Sequence, residues 1–192
     1  MIHLIFLSVI GSTVLSGQTD TSNKITNTGY GQVTIRRTLI QEVIKKNSNG
    51  LSVDTVKYVC GSANLGGSVR VPIYQSKIFY RYKNLGITFI TSSTSGDTIS
   101  GIIFYPPFIG QTDKGVTVGQ TKISSLDFLG KDSKISYSRP DRMGLHGDKK
   151  FSENANRYIK VDGIYYGYKK SPFTKNKFKV SHKTITEIRI GT

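Results

Sequence analysis

The chain has 192 residues, enough for one ordinary domain or two small ones, and an apolar share of 36% supports a real but lean core. With 27 Lys and Arg against 12 Asp and Glu, the formal net charge is +15, which directs attention to anionic partners: nucleic acid, acidic protein, lipid headgroups or envelope polymers. Cys60 is the single cysteine, so an intramolecular disulfide is excluded.

At the amino terminus, Leu4 to Leu15 form an apolar run too short to span a bilayer, and the small residues Ser16 and Gly17 follow it. This reads as a signal peptide over 1–17, so the chain is expected to be secreted or periplasmic, with no transmembrane segment. No cysteine stands after the run to carry a lipid anchor. Residues 18–33, rich in Thr, Ser, Asn and Gly, read as a flexible leader. From Thr34 to Lys46 the residues Ile35, Leu39, Ile40, Val43 and Ile44 recur at helical spacing and predict an amphipathic helix.

Three segments recur in the same order. Gly50 to Gly61 matches Gly119 to Gly130 in length, with Ser52 or Thr121 placed to cap a short helix and the closing glycine to end it. Tyr82 to Phe89 matches Ile159 to Tyr166 as strand, tight turn, strand, and Thr98 to Phe104 matches Thr184 to Ile190 as a further strand. The expected fold is therefore α+β, with two tandem modules over 34–105 and 106–192, each a short helix packed on a three-stranded antiparallel meander. The second copy carries an inserted loop over 131–156, marked by Pro140, Gly144 and Gly147. Cys60, at the end of an apolar stretch, is expected to be a buried small hydrophobe.

The glycine and hydroxyl pattern at Gly119, Thr121 and Gly130, and at Gly50, Ser52 and Gly61, resembles the modules of the β-lactamase inhibitory protein family. It also resembles the small lipoprotein subunit of the outer-membrane β-barrel assembly machine. That resemblance implies a tandem fold whose sheet surface grips another protein, with no catalytic residue to carry over.

Little in the sequence points to catalysis. Outside the signal the histidines are His146 and His182, in no recognised motif. Asp141, His146 and Asp148 form the best constellation for a metal or for proton transfer, within a 139–150 loop where Arg139, Arg142, Lys149 and Lys150 oppose a divalent cation. The chain is accordingly read as a non-enzyme without cofactor or metal, a hydrolase or metal-dependent enzyme using that loop being the alternative.

Strand alternation supplies the candidate binding surface. With Tyr82, Ile87, Phe89, Ile102, Phe104, Ile159, Ile164, Tyr166, Ile188 and Ile190 facing a core, Arg81, Lys83, Tyr158, Lys160, Tyr165 and Arg189 face outward. Tyr and Arg are the side chains enriched at binding hot spots. These six residues are therefore expected to bind another protein or an anionic envelope component, rather than nucleic acid, from a monomer or weak homodimer.

Overall fold

The computed structural model describes residues 24–64, 66–126, 155, 157–169 and 183–191. A small sheet of two-residue strands comes first: β1 (Lys24–Ile25), β2 (Gly29–Tyr30), β3 (Val33–Thr34) and β8 (Gln111–Thr112), ordered β3-β2-β1-β8. The main body is a seven-stranded sheet of β4 (Leu51–Asn64), β5 (Arg70–Tyr82), β6 (Ile87–Ser92), β7 (Gly96–Phe104), β9 (Arg157–Val161), β10 (Ile164–Tyr168) and β11 (Glu187–Gly191). Its spatial order is β4-β5-β6-β7-β11-β10-β9, with every neighbouring pair antiparallel. The single α-helix among the described residues is α1 (Ile40–Lys46).

This mostly β architecture corrects the expected pair of helix-on-meander modules. Gly50 to Gly61 is not a helix: Leu51 to Asn64 pairs with β5 from Leu51↔Tyr82 to Asn64↔Arg70. Val53, Val56 and Val59 mimic helical spacing, but Val53, Thr55, Val56, Tyr58 and Val59 are β-formers and the strand preference wins. Alternation then buries Val56 and leaves Val53 and Val59 about half exposed on the opposite face. Cys60 sits at the bulge between Val59 and Gly61 and is exposed, not buried. In the second copy Ile123–Ser125 form one 3-10 turn, and residues 127–130 lie outside the described residues. The helix expected from Thr34 begins only at Ile40, because Thr34 to Thr38 close a turn of their own.

Both three-stranded meanders do form, as β5-β6-β7 and β9-β10-β11, but they join edge to edge through β7 and β11. Ile87↔Phe104 and Phe89↔Ile102 in the first correspond to Ile164↔Ile190 and Tyr166↔Ile188 in the second. The seam pairs Ile103 with Arg189, which are themselves equivalent positions, so the sheet carries an approximate two-fold centred there. The β9–β10 turn is two residues, Asp162 (φ 48°) and Gly163 (φ 82°), the left-handed pair of a tight hairpin. The β5–β6 turn is longer, so Lys160, opposite Tyr165, matches Arg81, opposite Thr88.

The symmetry extends to two threonine turns. The Thr38 hydroxyl accepts from the Thr34 amide at 2.9 Å, while the Arg36 amide donates to Ile99 O at 2.7 Å and Ile99 returns a bond to Thr38 O at 3.0 Å. In the second half the Thr117 amide donates to the Thr121 hydroxyl at 2.9 Å, Gly119 donates to Ile185 O at 2.7 Å, and Ile185 donates to Thr121 O at 2.8 Å. The true counterpart of Gly119 is therefore Arg36, not Gly50.

One sheet face carries the larger core. Tyr82, Phe89, Ile102, Phe104, Ile164, Tyr166, Ile188 and Ile190 pack there with Ile40, Ile99 and Ile185, as alternation requires. The opposite face is also covered, in two patches: Val56, Phe79, Ile90 and Ile103 in one, and Ala155, Tyr158 and Tyr165 in the other.

Candidate binding surfaces

The six residues expected on an exposed sheet face separate into different environments. Arg81 is half-buried, with its Nε 3.5 Å from Asp54 Oδ2. Lys83 is exposed on the 3-10 turn Lys83–Leu85 rather than on a strand. Lys160 is exposed on β9, and its ammonium lies 4.9 Å from the ring centroid of Tyr165, its cross-strand neighbour.

Tyr158, Tyr165 and Arg189 do leave the larger core on the expected side, but they are buried, at 0%, 5% and 1% exposure. Arg189 Nε donates to Glu187 Oε1, the Tyr158 hydroxyl donates to the same oxygen at 2.7 Å, and the guanidinium carbon lies 5.1 Å from the Tyr158 ring centroid. Glu187 is buried too, so the arginine's charge is met inside the protein. Gly167 permits this arrangement, because a Cβ there would stand 2.7 Å from both Ala155 Cβ and Tyr158 Cε1.

Two residues of interest, Arg36 and Arg37, lie on a turn, where strand alternation gives no reading. Arg36 and Arg37 occupy the first threonine turn and are exposed. They face Lys160, Gly163, Tyr165 and Gly191 across an open groove of about 610 Å³. Among the described residues no carboxylate lines this groove. A second, apolar pocket of about 80 Å³ lies between α1 and the sheet, against Tyr82 and Phe89, with Lys46 Nζ donating to Gln32 Oε1 at 2.8 Å on its rim. Burial raises the phenol pKa of Tyr82 and Tyr30, which line this pocket.

The other surface is the β4–β5 ribbon. β6 pairs with β5 only over Lys77 to Tyr82, so among the described residues Arg70 to Ser76 has β4 as its one strand partner and the ribbon extends beyond β6. Ile73 and Tyr74, on opposite faces by alternation, are 46% and 53% exposed, and Val59, Val69 and Val71 are exposed beside them. The outer edge of β4 has no strand partner among the described residues. Tyr74, opposite Val59 on the projecting part of the ribbon, has Lys57 Nζ 4.8 Å from its ring centroid.

No family model, curated protein or solved structure matches this chain. Among the described residues, no group of three or more His, Cys, Asp or Glu is placed to hold a metal ion. No helix among them is long and apolar enough to cross a membrane. The segment of Asp141, His146 and Asp148, like the apolar run of Leu4 to Leu15, lies outside the described residues.

Proposed function

We propose that this chain is an exported, non-enzymatic binding protein that pairs an extended, acidic segment of a partner protein with the outer edge of β4. The observation that supports the reading is the ribbon, which exposes Val59 and Tyr74 on one face and Val71 and Ile73 on the other, apolar surface outside the described core. A free antiparallel edge gives main-chain hydrogen bonds to an added strand, and alternate side chains then set specificity. The partner's sign follows from charge: Lys57 and Arg70 are exposed on the ribbon, whereas the ribbon's Asp54 is already bridged to Arg81.

The test uses two synthetic probes of about ten residues, one alternating Val with Glu and one alternating Val with Lys, a length that spans a typical strand. Hydrogen exchange of the β4 amides from Ser52 to Ser62 is followed as each is added. The acidic probe is expected to slow exchange along the outer edge, and Ile73→Asp is expected to weaken it. If the acidic probe leaves these amides unprotected, or the basic probe protects them equally, the reading fails.

A further inference from the structure

The two halves offer equivalent ground around their threonine turns, yet among the described residues only one of these places is open. In the second half, the space beside Gly119 is taken by the segment that follows β7. A Cβ on Gly119 would lie 3.3 Å from Pro106 Cγ, and a Cβ on Gly86, the equivalent of Gly163, would lie 1.9 Å from Tyr105 O and 2.6 Å from the Phe108 amide nitrogen. In the first half the corresponding space is the groove of about 610 Å³. Where the filled side has Gly119 and Gln120, the open side has Arg36 and Arg37.

Arg36 also holds a backbone conformation that its side chain disfavours. Its φ is 64°, and Gly119 at φ 78° shows the residue that suits the position. Among the described residues one other non-glycine has a positive φ, Asp162, in a turn that ordinarily recruits Asp or Asn. A strained non-glycine residue at the mouth of a cavity is a pointer to a role for its side chain. The turn that carries it is rigid, tied internally by Thr38 and to β7 through Ile99. No described carboxylate pairs with Arg36, Arg37 or Lys160.

We propose that the groove between the Thr34–Thr38 turn and the β9–β10 hairpin binds a phosphate monoester, its phosphoryl oxygens held by Arg36, Arg37 and Lys160. Two guanidinium forks match the paired oxygens of phosphate or carboxylate, and the ammonium adds a point charge. Three cations facing no carboxylate among the described residues favour the monoester, which carries close to two negative charges near neutral pH, over a single carboxylate. The groove is far larger than the anion, leaving room for the ester's organic part beside Ile35 and Tyr165. This site is separate from the ribbon and stands or falls without it.

Calorimetric titration with phenyl phosphate, with benzoate as the carboxylate comparator, tests the proposal. Phenyl phosphate is expected to bind at least about tenfold more tightly than benzoate, and Arg36→Gly/Arg37→Gln to weaken it by about tenfold or more. That double variant copies the residues of the second turn, so its fold is expected to persist, and an unchanged melting temperature checks this. Lys45→Gln, an exposed cation of α1 outside the groove, is expected to leave affinity within about twofold. Vesicles containing phosphatidic acid distinguish the source of the phosphate. Vesicle binding lost in the double variant assigns it to a lipid headgroup, whereas binding of phenyl phosphate alone assigns it to a soluble ester. Absence of phenyl phosphate binding, equal binding of benzoate, or equal loss in Lys45→Gln overturns the proposal.

Discussion

Arg36 and Gly119 occupy the same left-handed backbone position in two equivalent turns, each amide reaching the carbonyl of a fully buried isoleucine at 2.7 Å. Substitutions there are expected to act asymmetrically. Arg36→Gly relieves a non-glycine residue at positive φ, a strain of about 1 kcal/mol or more, but adds glycine's unfolded-state entropy, so stability should change by less than about 1 kcal/mol. Gly119→Ala gains no such relief and should destabilise by about 1 to 2 kcal/mol, with Pro106 crowding the new methyl. Urea unfolding of the two variants measures the difference, and equal losses would refute the equivalence.

Gly167 is expected to resist replacement for a different reason. Its φ is not positive, so the cost of Gly167→Ala is steric: the methyl meets Ala155 and Tyr158 at 2.7 Å, inside any ordinary contact. Overpacking of this kind typically costs about 1 to 3 kcal/mol. Chemical denaturation reads the loss, and Ala155→Gly in the same chain should recover part of it.

The buried pair of Glu187 and Arg189 should behave as a unit. Glu187→Ala removes the carboxylate that faces the guanidinium and the Tyr158 hydroxyl, and is expected to cost about 3 kcal/mol or more. Glu187→Leu with Arg189→Met should cost less than either change alone, since no buried charge is then left without its counterpart. A double-mutant cycle in urea gives the coupling directly, and simple additivity would argue against the pair.

Alkaline pH should weaken the fold through Tyr166, whose phenol is pushed up from 10.0 to about 12, chiefly by burial, with a Thr112 hydrogen bond partly offsetting it. Below about pH 10 the hydroxyl is protonated in both folded and unfolded chains, so the shift contributes no pH dependence. Between there and about pH 12 the unfolded chain releases a proton that the folded chain keeps, so stability falls as pH rises, by about 2 to 3 kcal/mol across the window. Tyr82 and Tyr30 shift the same way. Stability measured against pH should fall less steeply in Tyr166→Phe than in the parent chain.

Much of the sheet was legible, because period-two alternation is a strong signal. Every one of Tyr82, Ile87, Phe89, Ile102, Phe104, Ile159, Ile164, Tyr166, Ile188 and Ile190 packs in the larger core. What alternation hid was the second face. The unbroken run Ile102-Ile103-Phe104 marks strands buried on both sides, and it explains why Tyr158, Tyr165 and Arg189 are not the exposed residues that one-sided burial predicts. The Ser52 cap position and the closing Gly61 similarly suggest a short helix over Gly50 to Gly61, where the β-branched residues between them instead form a strand. The groove was half visible: Lys160 and Tyr165 were singled out, but Arg36 was assigned to a helix. The repeat that would have placed it, Val33-Thr34 to Thr38 against Val116-Thr117 to Thr121, was obscured by matching Gly119 to Gly50.

The seam between β7 and β11 bears on how the molecule comes to be made. Among the described strands β11 comes last in chain order, yet it lies inside the sheet, between β7 and β10. A nascent or threading chain that has not yet delivered Glu187 to Gly191 therefore presents two raw strand edges, one on each half. Closing them requires partners distant in sequence, a slow step that leaves the chain open to mispairing while it waits. Completion of the seven-stranded sheet thus hangs on five residues, and a holding factor that shields β7 until they arrive would raise yield without altering final stability.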